Sequence, residues 1–495
     1  MRVALCALVA ACLAVAEAQA QSPVATDATT PQVTASVRAV TRVESWSFFD
    51  PAPLRSLEDG ADAAMPPATD PDYTFLGNRF TLGVHASSRR WEALGVLQYI
   101  QLWNLPSNAF GPGAFGTGAH YYLAANQSRA YQLYPRLLSV TWKDALSGTS
   151  IRGGRMEYSS GVEASSGVPS LEFLKRERLD GRLIGPFEWS IVQRAFDGVR
   201  ADVDKSGWHA TAAFMMPTQG TFEESATPTI TDIQVAAGSV SLRPHVLIPW
   251  SELQGFANVY RDRRPVAVRP DNTGRVGERA DVTVSTVGAS QAGIFPTVAG
   301  EADSIVWVAG QLGDWYGERH RAFSVAAEIG HRFTAMDWQP WIRAGWLYAS
   351  GDGDPSDDRH GTFFQMLPTM RRYAQTATYA LMNLRDLFVQ GYLEPHARLT
   401  LRTDLHRIDL ASGNDPWYSG SGATAREGIG FGFSTRPSAG ETGLGTVLEA
   451  SADVRLHRRW SVNGFIGTMW GGDLVRRLFA GDRLTFAYVE NVVRF

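Results

Sequence analysis

Polar and apolar residues alternate with a period of two along several stretches of this chain, the spacing of a β-strand with two different faces. Counting back from Phe495, one parity holds Val493, Asn491, Val489 and Ala487, and the other holds Arg494, Val492, Glu490, Tyr488 and Phe486. From His396 to His406, His396, Arg398, Thr400, Arg402 and Asp404 oppose Ala397, Leu399, Leu401, Thr403 and Leu405. Val447–Leu456 sets Val447, Glu449, Ser451, Asp453 and Arg455 against Leu448, Ala450, Ala452, Val454 and Leu456. Arg79, Thr81 and His85 oppose Phe80, Leu82, Val84 and Ala86, and Arg200 and Asp202 oppose Val199, Ala201 and Val203. Over Ile342–Tyr348 the division is less clean, with Arg343, Gly345 and Leu347 against Ile342, Ala344, Trp346 and Tyr348.

One greasy and one ionic face per strand is what a wall needs between lipid and a water-filled interior. The pattern therefore predicts an all-β fold, a transmembrane antiparallel β-barrel. Phe495 on the last strand is the usual closing element of such barrels, and it names the barrel assembly machinery as an expected partner beside outer-membrane lipid. Between strands, short turns such as Leu456–Trp460 alternate with long segments rich in Gly, Pro, Asp and Ser: Asp50–Tyr73, Leu105–His120, Asp262–Val298, Gly351–Gln375 and Ser412–Gly428. Long loops on one side and short turns on the other are the habit of outer-membrane barrels.

The N-terminus changes the picture of location. Arg2 precedes an apolar run, Val3–Val15, that is too short to span a bilayer, and Ala18-Gln-Ala20 is a small-x-small cleavage site. Residues 1–20 read as an export signal and 21–495 as one barrel. Val9-Ala-Ala-Cys12 is a competing lipoprotein box. Cys6 and Cys12 are the only cysteines, so cleavage after Ala20 leaves neither disulfides nor Cys-ligated metals. The formal net charge of −4 argues against a nucleic-acid partner. Lys143, Lys175 and Lys205 are the only lysines. An Arg-rich polar face suits a confined lumen, where a planar guanidinium pairs bidentately with carboxylates. Arginine-favouring codon usage in a secreted sandwich is the competing account.

Local motifs for chemistry are weak. Asp352, Asp354, Asp357 and Asp358 crowd one loop but lack the spacing and closing Glu of an EF-hand, so a solvated acidic turn is the simpler reading and calcium binding stays open. Gly111-Pro-Gly113-Ala-Phe-Gly116 spells a dinucleotide fingerprint without its flanking strand and helix. No P-loop lysine and no G-x-S-x-G are present. The charge run Glu172–Arg182 fits a short plug helix or a periplasmic turn. No cofactor and no metal ligand is expected.

Three stretches together resemble the alginate export family. They are Ile151-Arg-Gly-Gly-Arg-Met-Glu-Tyr158 with Trp189–Arg200; Tyr348-Ala-Ser-Gly-Asp-Gly-Asp-Pro355 with Thr362–Thr369; and Asn414-Asp-Pro-Trp-Tyr418. The likeness runs in consistent order over roughly residues 140 to 495, while Val33–His120 departs from it. It implies an 18-stranded outer-membrane barrel, monomeric, whose founding member passes a polyuronate through an Arg-lined pore.

The expected function is a porin-like channel for a polar or anionic solute, a polyuronate or other polysaccharide among the candidates, and not an enzyme. Strand parity points Arg200, Arg343, Arg398, Arg402 and Arg455 into the lumen, with Asp202, Asp404, Glu449 and Asp453 as their counter-charges; Arg155 joins them on the resemblance. Many weak charge-assisted contacts in series would let an anion both enter and leave. The alternative is an outer-membrane or secreted enzyme acting on polysaccharide or lipid.

Overall fold

The computed structural model describes residues 31–50, 70–109, 117–144, 146–264, 281–369, 374–376, 378–420, 422–426 and 433–495. The export signal with Cys6 and Cys12, and the glycine-rich Gly111–Gly116 motif, lie outside the described residues.

Eighteen antiparallel strands close into one wall. The first six are β1 (Gln32–Ser47), β2 (Asp72–Ser87), β3 (Trp91–Trp103), β4 (Arg129–Asp144), β5 (Thr149–Met156) and β6 (Phe196–Asp204). Next come β7 (Trp208–Pro217), β8 (Ile233–Leu242), β9 (Ser251–Asp262), β10 (Val282–Thr297), β11 (Gly300–Trp315) and β12 (Glu318–Arg332). The last are β13 (Trp341–Ala349), β14 (Leu384–His396), β15 (Leu399–Asp409), β16 (Gly443–His457), β17 (Trp460–Gly471) and β18 (Arg483–Arg494). Each strand pairs with its neighbour in the chain, and β1 pairs with β18 from Arg38↔Arg494 to Ser47↔Thr485, so the wall has no edge.

Side-chain burial follows the predicted parities. Val489, Leu405 and Val199 are 57%, 48% and 52% exposed, whereas Phe486, His406 and Arg343 on the opposite faces are buried. The exposed apolar side is the lipid side. At the short-turn end, Trp91, Trp208, Trp250, Trp338 and Trp460 are all exposed. They sit beside the turns at residues 88–90, 205–207, 243–250, 333–340 and 458–459. Indoles at that level form the aromatic girdle of a membrane interface. Among the described residues no helix is long and apolar enough to cross a membrane.

Two expectations are corrected. Asp262–Val298 is not one loop, because β10 occupies Val282–Thr297; its small Ser, Thr, Gly and Ala residues disguise a lipid-facing strand as linker. The stretch His396–His406 is not one strand, because Ala397 and Arg398 form the turn between β14 and β15. Arg398 is therefore exposed at the short-turn end rather than set in the lumen wall.

The lumen is not evenly filled. Along β16 the inward residues pass from exposed Asp453, through half-buried Ser451, to buried Glu449 and Val447. Along β1 they pass from exposed Thr34 and Ser36, through half-buried Arg38, to buried Val40, Arg42 and Glu44. Water reaches the wall from the short-turn side, forming a vestibule. Inward-folded connections pack the other half. The largest of these spans residues 157–195 and carries a short helix, α2 (Pro169–Arg178), after α1 (Thr117–Ala125) near the rim. A third helix, α3 (Asp473–Leu478), joins β17 to β18.

Candidate functional site

Of the charge run Glu172–Arg182, Glu172–Arg178 lie in the inward helix α2 and Leu179–Arg182 turn away after it, so the run is the plug helix of the two alternatives and not a periplasmic turn. Pro169 opens it, where a missing N–H costs nothing. Glu172 reaches back to accept hydrogen bonds from Ser166 N and Ser166 Oγ at 2.6 and 2.7 Å. Lys175, Arg176 and Arg178 in the last turn complement the helix dipole. Leu171 and Leu174 are buried together with Lys175 and Arg178, while Arg176 stays exposed, so one side of the helix packs on protein and the charges on that side need partners in the wall.

The wall supplies them. Lys175 Nζ lies 2.8 Å from Glu252 on β9. Arg178 donates from Nε and Nη2 to the two oxygens of Glu328 on β12 at 2.7 and 3.2 Å. Arg343 on β13 reaches the same Glu328 at 3.1 Å and Asp303 on β11 at 3.0 Å, and Arg182 approaches Glu328 at 3.6 Å. Gly330 makes room for this web: a Cβ there would stand 2.6 Å from Arg343 Cγ. Glu177 on the helix accepts a hydrogen bond from Tyr392 Oη at 3.0 Å and pairs with Arg402 at 3.4 Å.

A second cluster lies where the vestibule meets the packed half. Arg42 on β1 pairs with Glu490 on β18 at 2.6 Å and with Glu44 at 3.3 Å. Its guanidinium sits 4.1 Å from the Trp189 ring centroid and 5.5 Å from Tyr488. Phe465 stacks on Tyr488 at 5.2 Å. Arg79 on β2 pairs in register with Val40 and donates to the carbonyls of Ser190 and Glu188 at 2.8 and 3.4 Å. Arg38 stands across from Thr81, half-buried, with its Nε lacking a partner among the described residues. Three guanidiniums here meet two carboxylates, Glu44 and Glu490, under an aromatic rim. Arg38, Arg42 and Arg79 were not singled out from sequence as channel residues. The parity Arg38, Val40, Arg42, Glu44, Trp46 could have found the first two, and Arg79 stands in the parity Arg79, Thr81, His85.

The expected lumen residues are placed as follows. Arg200 grips Asp202 two residues on, with Nε at 2.8 and 3.0 Å, and Asp202 also accepts Thr211 Oγ1 at 2.7 Å. Arg402 donates from Nε to Asp404 at 2.6 Å. Asp404 and Glu449 face each other in register across β15 and β16. Asp453 accepts Asn463 Nδ2 at 2.8 Å, and Arg455 donates to the Ala397 carbonyl at 3.0 Å; both are exposed at the vestibule mouth. Arg155 is a correction. It pairs in register with Asp197, on the parity of Val199 and opposite to Arg200. Its guanidinium clamps Asp197 with hydrogen bonds of 2.8 and 2.7 Å. Alternation counted from outward Ile151 predicts this side; the family likeness did not.

The outer loops are tied by a buried carboxylate. Asp415 accepts Thr362 Oγ1 at 2.6 Å, Asp352 N at 2.8 Å and Tyr418 Oη at 2.9 Å. Burial pushes its carboxyl up to about 7. The acidic loop finds its partners within itself and on β12: Asp354 accepts Ser356 Oγ at 2.6 Å, and Asp358 pairs with Arg319 at 2.8 Å.

Comparisons with known proteins agree with the architecture. A family model described as alginate export matches residues 174–482. The fold is similar to that of several Pseudomonas aeruginosa proteins. OpdK with vanillate is 7% identical, with 93% of this chain and 98% of that chain covered and a TM-score of 0.53. OccK2 (OpdF) in complex with glucuronate is 9% identical, with 94% and 96% covered and a TM-score of 0.54. OccK9 (OpdG) is 9% identical, with 94% and 99% covered and a TM-score of 0.55. No curated protein sequence matches the chain.

Proposed function

The chain belongs to the alginate export family and is a channel of the bacterial outer membrane for polar or anionic solutes, and on that premise we propose that the solute is an acidic saccharide whose carboxylate docks on Arg38, Arg42 and Arg79. The observation that carries this reading is the excess of guanidinium over carboxylate where the open vestibule ends, roofed by Trp189, Tyr488 and Phe465. A sugar ring presents apolar faces that pack on aromatic rings, and a uronate adds one anionic group that a planar fork accepts bidentately. The OccK2 complex holds glucuronate, which supports a uronate as the class.

Arg200, Arg343, Arg402, Asp202 and Asp404 serve in this reading mainly as fixed pairs that hold the wall and the inward helix, and Glu449 holds the backbone of Gln375 and Thr376. Passage requires the Phe187–Ala195 segment over Arg79 to shift, since its carbonyls cap that guanidinium. The chain is exported by its residue 1–20 signal and inserted by the barrel assembly machinery through Phe495.

Planar-bilayer recordings under a salt gradient test the reading. Wild-type protein should be anion-preferring and blocked by glucuronate or short polyuronates. Replacing Arg38 and Arg79 with Ser should move the reversal potential toward cation preference and weaken the block. Unchanged reversal potential and unchanged block would overturn it. Turnover of polyuronate by the purified protein would favour an enzyme instead.

A further inference from the structure

We propose that Asp404, His406 and Glu449 form a binding site for a divalent transition-metal ion that joins the barrel wall to an inward loop. One ligand atom from each lies within 4.8 Å of the others. The three residues are 2%, 1% and 2% exposed.

Charge makes the arrangement demand a cation. Asp404 and Glu449 are direct cross-strand partners, and like charges placed opposite each other in a sheet repel. Arg402 covers only one oxygen of Asp404, from Nε to Oδ2 at 2.6 Å. Asp404 Oδ1 and His406 Nε2 are both buried with no hydrogen-bond partner among the described residues. Buried polar atoms left unmatched are costly. Here two of them belong to residues that crowd one small space with a second carboxylate, Glu449.

The surroundings match how proteins prepare a histidine ligand. His406 Nδ1 lies 3.0 Å from Asp386 Oδ1. With Nδ1–H donating to that carboxylate, Nε2 is left with the lone pair, buried and without a hydrogen-bond partner among the described residues. A carboxylate behind a ligating imidazole fixes its tautomer and raises its basicity. Glu449 is oriented in turn by the backbone N–H groups of Gln375 and Thr376 at 2.9 and 2.5 Å. One imidazole and two carboxylates suit Zn²⁺, Mn²⁺ or a similar ion. The inward face of β16 runs from Glu449 through Ser451 to exposed Asp453, which gives ions a way in from the vestibule. Sequence spacing hides the set, because the ligands come from two strands and their orienting groups from a third strand and a loop.

The test uses full-length, untagged protein in detergent, stripped with chelator and titrated with Co²⁺ and then Zn²⁺. Wild type should bind one Co²⁺ per chain with visible d–d absorption, lose that absorption to Zn²⁺, and melt at a higher temperature with either ion. His406→Gln and Glu449→Gln should each abolish the absorption while the protein still shows heat-modifiable mobility. Asp386→Asn should weaken binding roughly 10–100-fold without abolishing it. Absence of Co²⁺ absorption and of any melting shift in wild type would overturn the proposal, leaving water or a shared proton in the gap. Absorption that survives in both His406→Gln and Glu449→Gln would place the ion elsewhere and overturn it equally. None of these outcomes depends on what the channel conducts.

Discussion

Arg178 on the inward helix and Glu328 on β12 meet through two hydrogen bonds, 2.7 and 3.2 Å long, with both side chains fully buried. This pair connects something that could leave the lumen to something that cannot. Glu328 also collects Arg343 and Arg182, so one carboxylate holds the wall and the plug in a common arrangement.

Glu328→Gln should therefore loosen the helix rather than the barrel. Removing one partner of a buried pair typically costs about 3–5 kcal/mol. The expected result is a larger and noisier single-channel conductance, with the unboiled gel mobility of a folded barrel retained. Conductance like that of wild type would show that the helix is held by its apolar contacts alone.

Trp189→Ala removes the ring 4.1 Å from the Arg42 guanidinium. A desolvated cation–π contact is worth on the order of 2 kcal/mol. The variant should need a several-fold higher glucuronate concentration for half-block, measured in planar bilayers at fixed salt. Block that is unaltered would remove the aromatic rim from the solute's path.

Asp415 makes the outer loops sensitive to pH. Burial raises its carboxyl to about 7 in the folded protein, above an unfolded value of about 3.9. The folded state thus holds the proton more tightly. Its contribution is fully present below the unfolded value, declines as pH rises from about 4, and is gone above about 7. Amide protection factors around Asn383 and Tyr418, taken relative to the intrinsic base-catalysed exchange rate, should be higher at pH 5 than at pH 8. Asp415→Asn should flatten that difference.

Phe495 exchanges backbone hydrogen bonds with Val37 at 2.8 and 3.0 Å while the residue stays 46% exposed. Deleting it should lower the fraction of chains that reach the folded, heat-modifiable form in membranes, with little effect on the melting of those that do. Equal yields would argue against a role in recognition by the assembly machinery.

Much of the wall could be read from the chain. Leu399, Leu401 and Leu405 take one side and Arg402, Asp404 and His406 the other, because a strand between lipid and water must sort its side chains. The inward loop was harder. The charge run Glu172–Arg182 fits a plug helix and a periplasmic turn equally, because the partners that decide between them, Glu252, Glu328 and Tyr392, are distant in sequence. Arg398 shows the limit of parity: alternation continues through a tight turn, so counting cannot tell a wall residue from a corner. Arg155 shows the reverse, where counting from Ile151 was the better guide and likeness to a family misplaced it. The Arg38–Arg42–Arg79 cluster escaped because its aromatic cover comes from Trp189, on a different segment.

Every rung of the wall but one joins strands that follow each other along the chain. The exception binds β1 to β18, with Arg42 gripping Glu490 across 448 residues. Until the β18 segment has been made and delivered, a partly zipped sheet presents two raw margins of unpaired amides to any neighbour. Closure of the wall therefore waits for the last strand, and every shorter intermediate carries two open edges.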